Sequence, residues 1–361
     1  MSDPSDKPSL SAIEPAVSNS GNAPNSNDHA LGSLTEGGTG VTLSSAEIRT
    51  LKEKYYNATI VDRRDIHDDL AVFRIRPDQG FEPFEAGQYV ALGLGNWERR
   101  IANCQDEPLP ESKWKKLTRR AYSISCPMVD VDSATDSTVQ VMTVNSIDYL
   151  EFYVALVRHA GDLDQKPPSL TPRLFGLQSG DRIEIAKKIV GHYVAHDIGP
   201  DDTVLMVGTG TGEAPHNAMA ASLLSQDHQG RIIHVTSVRQ RKDLAYLRQH
   251  ETLSKHFPQY SYFPLTTRDP ENLNTSHPKF VGKQYVQELF RSGRLAELAG
   301  VDLSPKNTHV FLCGNPAMIG YAPPGAPPLT QPGMIQVLIE AGFTDDHNQS
   351  GPGVIRFEKY W

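Results

Sequence analysis

Between residues 55 and 195 apolar and polar positions change places over short distances. The runs are "YYNATIVDRRDI", "LAVFRIRP", "GQYVALGL", "RRAYSIS", "VQVMTV", "YLEFYVALVRH" and "GDRIEIAKK". They are rich in β-branched and aromatic residues, and Gly and Pro punctuate the intervals, which predicts short strands joined by turns. Many such strands in succession suggest an antiparallel barrel. One helix interrupts them at "SLTPRLFGL", where Ser169 or Thr171 can cap and Pro172 suits the first turn. From about residue 200 the pattern changes. "DDTVLMVG" is a nearly continuous apolar run, as expected of a buried parallel strand. The helical "EAPHNAMAASLLSQ", the strand "RIIHVTSVR", the helical "DLAYLRQHETLSKHF" and the strand "YSYFPLTTR" follow. "QYVQELFRSGRLAELAG", "HVFLCGNP" and "GMIQVLIEAGF" continue the alternation, which predicts a doubly wound α/β sheet.

Composition changes this picture at one end. Residues 1 to about 45 are dominated by Ser, Asn, Gly, Pro and Asp and hold few large apolar side chains. Such a segment buries too little surface to offset its ordering entropy, so a disordered tail is expected over 1–45. The expected division is then a barrel over 46–198 and an α/β domain over 199–361. With 361 residues, 38% hydrophobic and 22% charged, the chain reads as a soluble globular protein. No run approaches the ~20 apolar residues of a membrane span, and no secretory signal opens the chain. Cys104, Cys126 and Cys313 are the only cysteines, too few for a four-cysteine iron–sulfur cluster; a reducing, cytoplasmic setting is expected. The net charge of −8 argues against nucleic-acid binding.

The candidate chemistry starts at "VGTGTGEAPHN" (207–217), a glycine-rich turn after an apolar strand. Gly208, Gly210 and Gly212 allow a tight turn and close backbone approach to a ligand. Pro215 suits the first turn of the following helix, whose free N–H groups favour a pyrophosphate. The spacing is G-x-G-x-G-x-A-P rather than G-x-G-x-x-G, and Glu213 places an acid where a phosphate would arrive. The next strand ends in "VRQRKD", with Arg239, Arg241 and Lys242 where an NAD site would carry an acid. Arg268 ends the third strand and Lys283 lies further on. Cations after successive parallel strands gather at one sheet edge, and guanidinium suits a 2′-phosphate. Solvated surface charge is the competing reading, closest for Arg241 and Lys283.

Taken in order, these motifs resemble the ferredoxin–NADP reductase family, in particular its bacterial ferredoxin/flavodoxin reductases, over roughly residues 55 to 361. "RRAYSIS" is similar to the family's R-x-Y-S flavin motif, "SLTPRL" to its flavin-pyrophosphate segment, "GTGTGEAP" to its nucleotide loop, "VRQRKDLAYL" to its 2′-phosphate segment, "CGNPAMI" to its C-G-x-P motif and "FEKYW" to the bacterial terminus. The resemblance implies an N-terminal antiparallel FAD-binding β-barrel followed by a doubly wound parallel-sheet NADP-binding domain. It implies FAD contacts from Arg120, Tyr122, Ser123, Phe152, Tyr153, Val154, Leu170 and Thr171, and from Tyr360 and Trp361. It implies NADP(H) contacts from Gly208, Thr209, Gly210, Thr211, Gly212, Pro215, Arg239 and Gly314, to which Arg268 and Lys283 are added by their place after the strands. Ser123 near flavin N5, Cys313 in a positioning role beside the nicotinamide, and Glu358 as a proton relay are the catalytic candidates. Family members commonly carry an apolar residue at the position of Glu213. Here the acid is expected to turn away from the nucleotide and meet the flavin domain or a helix terminus.

The run "RRIANCQDEPLPESKWKKLTRR" (99–120) is locally basic in an acidic protein, with Arg99, Arg100, Lys113, Lys115, Lys116 and Arg119. Such a patch steers an acidic electron carrier, so ferredoxin or flavodoxin is the expected partner and the expected state is a monomer. The resulting reading is hydride exchange between NADP(H) and flavin coupled to one-electron transfer with that carrier. A flavin-containing reductase component of an oxygenase system, or a non-enzymatic redox sensor, stays open on these residues alone.

Overall fold

Strands β1 (Ala58–His67), β2 (Leu70–Pro77), β3 (Tyr89–Gly95), β4 (Leu117–Ser123), β5 (Leu150–Ala155) and β6 (Arg182–Ile185) form one sheet in the order β4-β3-β6-β1-β2-β5. The computed structural model describes residues 43–135, 138–160, 166–322, 327–346 and 349–360; most of the expected 1–45 tail, and Trp361, lie outside them. Every pairing in this sheet is antiparallel. Its two end strands meet: Ser125, just past β4, bridges Glu151 on β5, its N–H donating to the Glu151 carbonyl at 2.8 Å. The sheet therefore curls into a barrel, filled by Phe73, Ile75, Leu92, Leu94 and Phe152. That closure leaves no free edge for a further strand. "VQVMTV" accordingly forms no strand and makes only an isolated bridge, Val129 to Val141, against expectation.

Three helices accompany the barrel: α1 (Ser45–Tyr55), α2 (Glu111–Trp114) and α3 (Thr171–Leu174). α1 buries no residue and was not expected. Its end is fastened by Tyr55 and Tyr56, each with its ring centroid 6.1 Å from Trp97, and by Lys52 paired to Glu98 at 2.9 Å.

A second sheet follows, built from β7 (Thr203–Thr209), β8 (Ile232–Val238), β9 (Tyr260–Thr266), β10 (Thr308–Gly314) and β11 (Ile355–Lys359) in the order β11-β10-β7-β8-β9. All its pairings are parallel. The helices are α4 (Glu213–Ser225), α5 (Leu247–His256), α6 (Pro270–Leu273), α7 (Val286–Arg291), α8 (Arg294–Ala299), α9 (Pro316–Ile319) and α10 (Met334–Glu340). One face of the sheet presents Leu205, Val207, Ile233, Val235, Val310 and Leu312 to Leu295, Ile319, Met334 and Leu338 of α8 to α10. Side chains alternate along strands, so His234 and Thr236 point to the opposite face, towards α4 and α5. Two expected helices are shorter than their patterns. A 3₁₀ turn over Arg241–Asp243 precedes α5, and Gly293, at φ 73°, ends the first half of 284–300 and separates α7 from α8. Among the described residues no helix is long and apolar enough to cross a membrane.

Both sheets belong to one compact unit starting at Ser45. Polar side chains stitch them together. The Tyr153 hydroxyl donates to the Asp243 carbonyl at 2.6 Å, and the Tyr246 hydroxyl donates to Glu151 at 2.9 Å. Arg64 reaches the Ala245 carbonyl at 3.2 Å, and Asn217 reaches Ser125 at 3.3 Å. Buried bonds of this kind stabilise by about 0.5–1.5 kcal/mol each, but leaving one half unpaired costs more.

Candidate functional site between the barrel and the sheet switch point

Strand order reverses between β7 and β10, and ligands of open α/β sheets bind beyond the carboxyl ends at such a point. Here those ends are Thr209 and Gly314. They are held together by the Asn315 N–H, which donates to Thr209 Oγ1 at 2.7 Å. The glycine loop fits this place for two reasons. A β-carbon on Gly212 would overlap the Cys313 carbonyl, so only glycine lets the loop lie against β10. Gly210 has φ 53°, and a β-carbon there would meet nothing, which leaves open space over the loop. Thr211 is half-buried, and Pro215 lies inside the first turn of α4.

Three strands bring the catalytic candidates to this crevice. β11 pairs with β10 so that Glu358 lies opposite Cys313. Tyr360 follows, its N–H donating to the Gly314 carbonyl at 2.9 Å. Its phenol lies against Ser123 of β4, Cys313 and Glu358. Burial pushes the Cys313 thiol well up, so the sulfur stays protonated and suits a positioning role. Burial also raises the Glu358 carboxyl above the usual carboxylate range.

The barrel side is equally specific. Tyr122 is edge-on to Phe152 at 6.5 Å, and Arg120 lies exposed beside them on β4. Phe152 and Val154 are buried in the barrel, and Tyr153 is committed to the seam with the second sheet. This last strand of the sheet therefore offers a ligand its main chain rather than its side chains. Leu170 is buried before α3, and the Thr171 hydroxyl already accepts the Val157 N–H at 3.2 Å.

At the other end of the crevice the Arg268 N–H donates to the Arg239 carbonyl at 2.8 Å, which sets the ends of β8 and β9 side by side. Both side chains, and that of Lys283, are exposed. The basic run is less uniform than its sequence. Arg100 is turned inward to Glu107 at 2.9 Å and to the Pro168 and Gln105 carbonyls, where it braces the loop. Lys115 pairs with Glu47 and Arg119 with Glu184. Arg99, Lys113 and Lys116 remain exposed, without an ion pair among the described residues.

Glu213 departs from expectation. Its side chain forms hydrogen bonds with neither the barrel nor a helix terminus; it is fully buried behind the loop, between α4, α5 and the sheet. One oxygen accepts from Thr236 at 3.0 Å and Tyr262 at 2.8 Å and is bonded to His250 at 3.0 Å. The reason is geometric: Thr236, on the face of β8 that meets α4, lies across from the first residue of that helix. The seam residues Glu151 and Tyr246, and the histidines around Glu213, escaped the sequence reading. The one signal was His234, a polar residue in the middle of the apolar run "RIIHVTSV".

Comparison with known proteins agrees with this architecture. Residues 206–323 match the oxidoreductase NAD-binding domain. The chain is 26% identical over 273 residues to the ferredoxin–NADP reductase of Azotobacter vinelandii, covering 73% of this chain and 88% of that one. It is 25% identical over 292 residues to the flavodoxin/ferredoxin–NADP reductase of Buchnera aphidicola subsp. Baizongia pistaciae, covering 80% and 93%. In fold it is similar to a ferredoxin NADP+ reductase from Neisseria gonorrhoeae solved with bound FAD and NADP, at TM-score 0.60 and 18% identity, over 85% of this chain and 98% of that one. The barrel, the switch-point loop and these matches define an oxidoreductase of the kind that sets an antiparallel barrel against a nucleotide-binding α/β sheet. Within that class the chain is similar, over most of its length, to ferredoxin–NADP and flavodoxin/ferredoxin–NADP reductases.

Proposed function

We propose that this chain is an FAD-dependent ferredoxin/flavodoxin–NADP(+) reductase, exchanging hydride with NADP(H) and single electrons with a ferredoxin or flavodoxin. The observation that carries this reading is the convergence of Ser123, Cys313, Glu358 and Tyr360, from the barrel and from both strands beyond the switch point, on one crevice. The residues fit the two cofactors. The space over Gly210 is open, and Arg120, Arg239 and Arg268 are exposed cations at the two ends of the crevice. FAD supplies the conversion between two-electron and one-electron chemistry, and the protein supplies alignment.

The protein's own part follows from the geometry. Arg120 meets a diphosphate from the barrel side. Ser123 would offer its hydroxyl to the flavin, and Tyr122 and Tyr360 would offer it aromatic faces. The glycine loop and the first turn of α4 receive the second pyrophosphate. Cys313, kept as a thiol, fills the wall next to Gly314 without reacting. Glu358, held protonated to higher pH than an ordinary carboxyl, stores a proton one strand away. Arg99, Lys113 and Lys116 remain to meet an acidic carrier. The test is direct. The purified full-length protein is expected to be yellow and monomeric, to oxidise NADPH in preference to NADH, and to reduce ferredoxin or flavodoxin. A colourless protein, or one that passes electrons only to free flavins and dyes, would overturn the proposal.

A further inference from the structure

The packing around Glu213 goes further than an explanation of the loop. Glu213, His216, His234 and His250 are all fully buried, together with Tyr260 at 2% exposure. The metal-ligating atoms of Glu213, His234 and His250 lie within 4.8 Å of one another. His250 stacks on Tyr262 at 3.8 Å, and His234 is edge-on to His250 at 4.8 Å.

Protons can be followed through this cluster one bond at a time. Thr236, Tyr262 and His250 all meet the same oxygen, Oε1, of Glu213. If His250 donates there from Nε2, its Nδ1 is a lone pair and takes the single proton of Tyr260, 2.8 Å away. The Tyr260 oxygen then accepts Nδ1–H of His234, at 3.0 Å. His234 is left with a bare lone pair on Nε2, an atom that has no hydrogen-bond partner. Doubling the proton on His250 instead leaves an N–H without an acceptor at that same atom. The second oxygen of Glu213, Oε2, has no partner either, nor does Nδ1 of His216, whose ring lies 5.6 Å from that of His234. Each such orphan is costly when buried, and more so when charged. No lysine or arginine among the described residues pairs with this carboxylate.

We propose that Glu213, His234 and His250 form a structural site for one divalent first-row cation of the zinc type. Carboxylate and imidazole together suit that class: the ion takes the lone pair of His234 Nε2, the carboxylate of Glu213 and, once the His250 proton moves from Nε2 to Nδ1 and points at Tyr260, the lone pair of His250 Nε2, while neutralising the buried charge. Tyr260, bonded to Nδ1 of both histidines, orients the rings from behind, as outer partners of metal-bound imidazoles do. Glu213 is the first residue of α4, so the ion fastens the start of the nucleotide-loop helix to β8 and α5. It takes no part in electron transfer.

Full-length protein is produced in minimal medium supplemented with Zn²⁺, freed of any affinity tag, dialysed and analysed by elemental mass spectrometry. One zinc per chain is expected. Protein grown with Co²⁺ is expected to show ligand-field bands at wavelengths beyond the flavin absorption. Glu213→Gln and His234→Asn are each expected to lose the stoichiometric ion while circular dichroism shows a folded chain. Wild type refolded with excess chelator is expected to melt several degrees lower than wild type refolded with Zn²⁺, because an ion that binds only the folded state stabilises it. Wild-type protein with no stoichiometric metal and no cobalt bands overturns the site, whatever the variants do. So does retention of one ion per chain by both folded variants.

Discussion

Removing Arg239 and Arg268 should separate the two nicotinamide nucleotides. A charge-assisted hydrogen bond contributes about 1.5–3 kcal/mol, and both side chains are exposed, so the lower end applies. At 1.4 kcal/mol per factor of ten, Arg239→Ala and Arg268→Ala should each lower kcat/KM for NADPH about tenfold. The 2.8 Å bond between the Arg268 N–H and the Arg239 carbonyl sets the two strand ends against one another. If both side chains grip one phosphate, the double variant should therefore fall short of the product of the singles, a coupling a double-mutant cycle reads directly. NADH lacks the 2′-phosphate, so its kcat/KM should stay within about twofold for small surface changes of this kind. The assay is stopped-flow reduction of the protein by each nucleotide at several ionic strengths. The NADPH advantage should shrink with salt in wild type, since exposed charges are screened over about 8 Å at 0.15 M. Equal losses for NADPH and NADH would refute the reasoning, because they would mean that the guanidiniums hold the loop rather than the phosphate.

Other consequences rest on different parts of the molecule. Gly212→Ala drives a β-carbon into the Cys313 carbonyl, so the loop must move; NADPH binding should weaken at least tenfold, as about 1.4 kcal/mol of lost contact implies, while bound flavin, read by absorbance, is retained. Tyr246→Phe removes a donor from the buried Glu151, leaving it to Arg74 at 2.9 Å, and should destabilise by about 1–3 kcal/mol, read in urea titrations followed by circular dichroism; an unchanged midpoint would mean the seam carries no stability. The Glu358 carboxyl is raised by burial, so its proton survives as pH climbs through the ordinary carboxylate range and is lost only at the higher, shifted value. The rate of flavin reduction by NADPH should therefore hold through the ordinary range and fall above it, and Glu358→Gln should flatten that limb; an identical limb in the variant assigns it to another group.

The parts legible from sequence are those whose physics is local. Short runs of β-branched and aromatic residues mark all six barrel strands, Pro172 marks the helix between them, and the apolar run ending at Val207 marks the strand that feeds the glycine loop. The glycine spacing was readable because the constraint is steric and lies within a few residues of its cause. "VQVMTV" is a run of the same kind and forms no strand, since a ladder needs a free edge and Ser125 with Glu151 had already closed the barrel. That closure is a relation between residues 26 positions apart, and no window of sequence contains it. Glu213 fails for the same reason in a sharper form. As the first residue of a helix it reads as a cap or as a group repelled by phosphate. Its environment is set by Thr236 on the next strand, His250 on the next helix and Tyr262 on the strand after that. Each of those residues is unremarkable in its own segment, a threonine in a strand, a histidine in a helix, a tyrosine in a strand. Only the parallel register of β7, β8 and β9 brings them to one point. A buried acid at the head of a nucleotide loop is thus a statement about the whole sheet, and the charge it carries has to be answered by whatever those three elements bring to it.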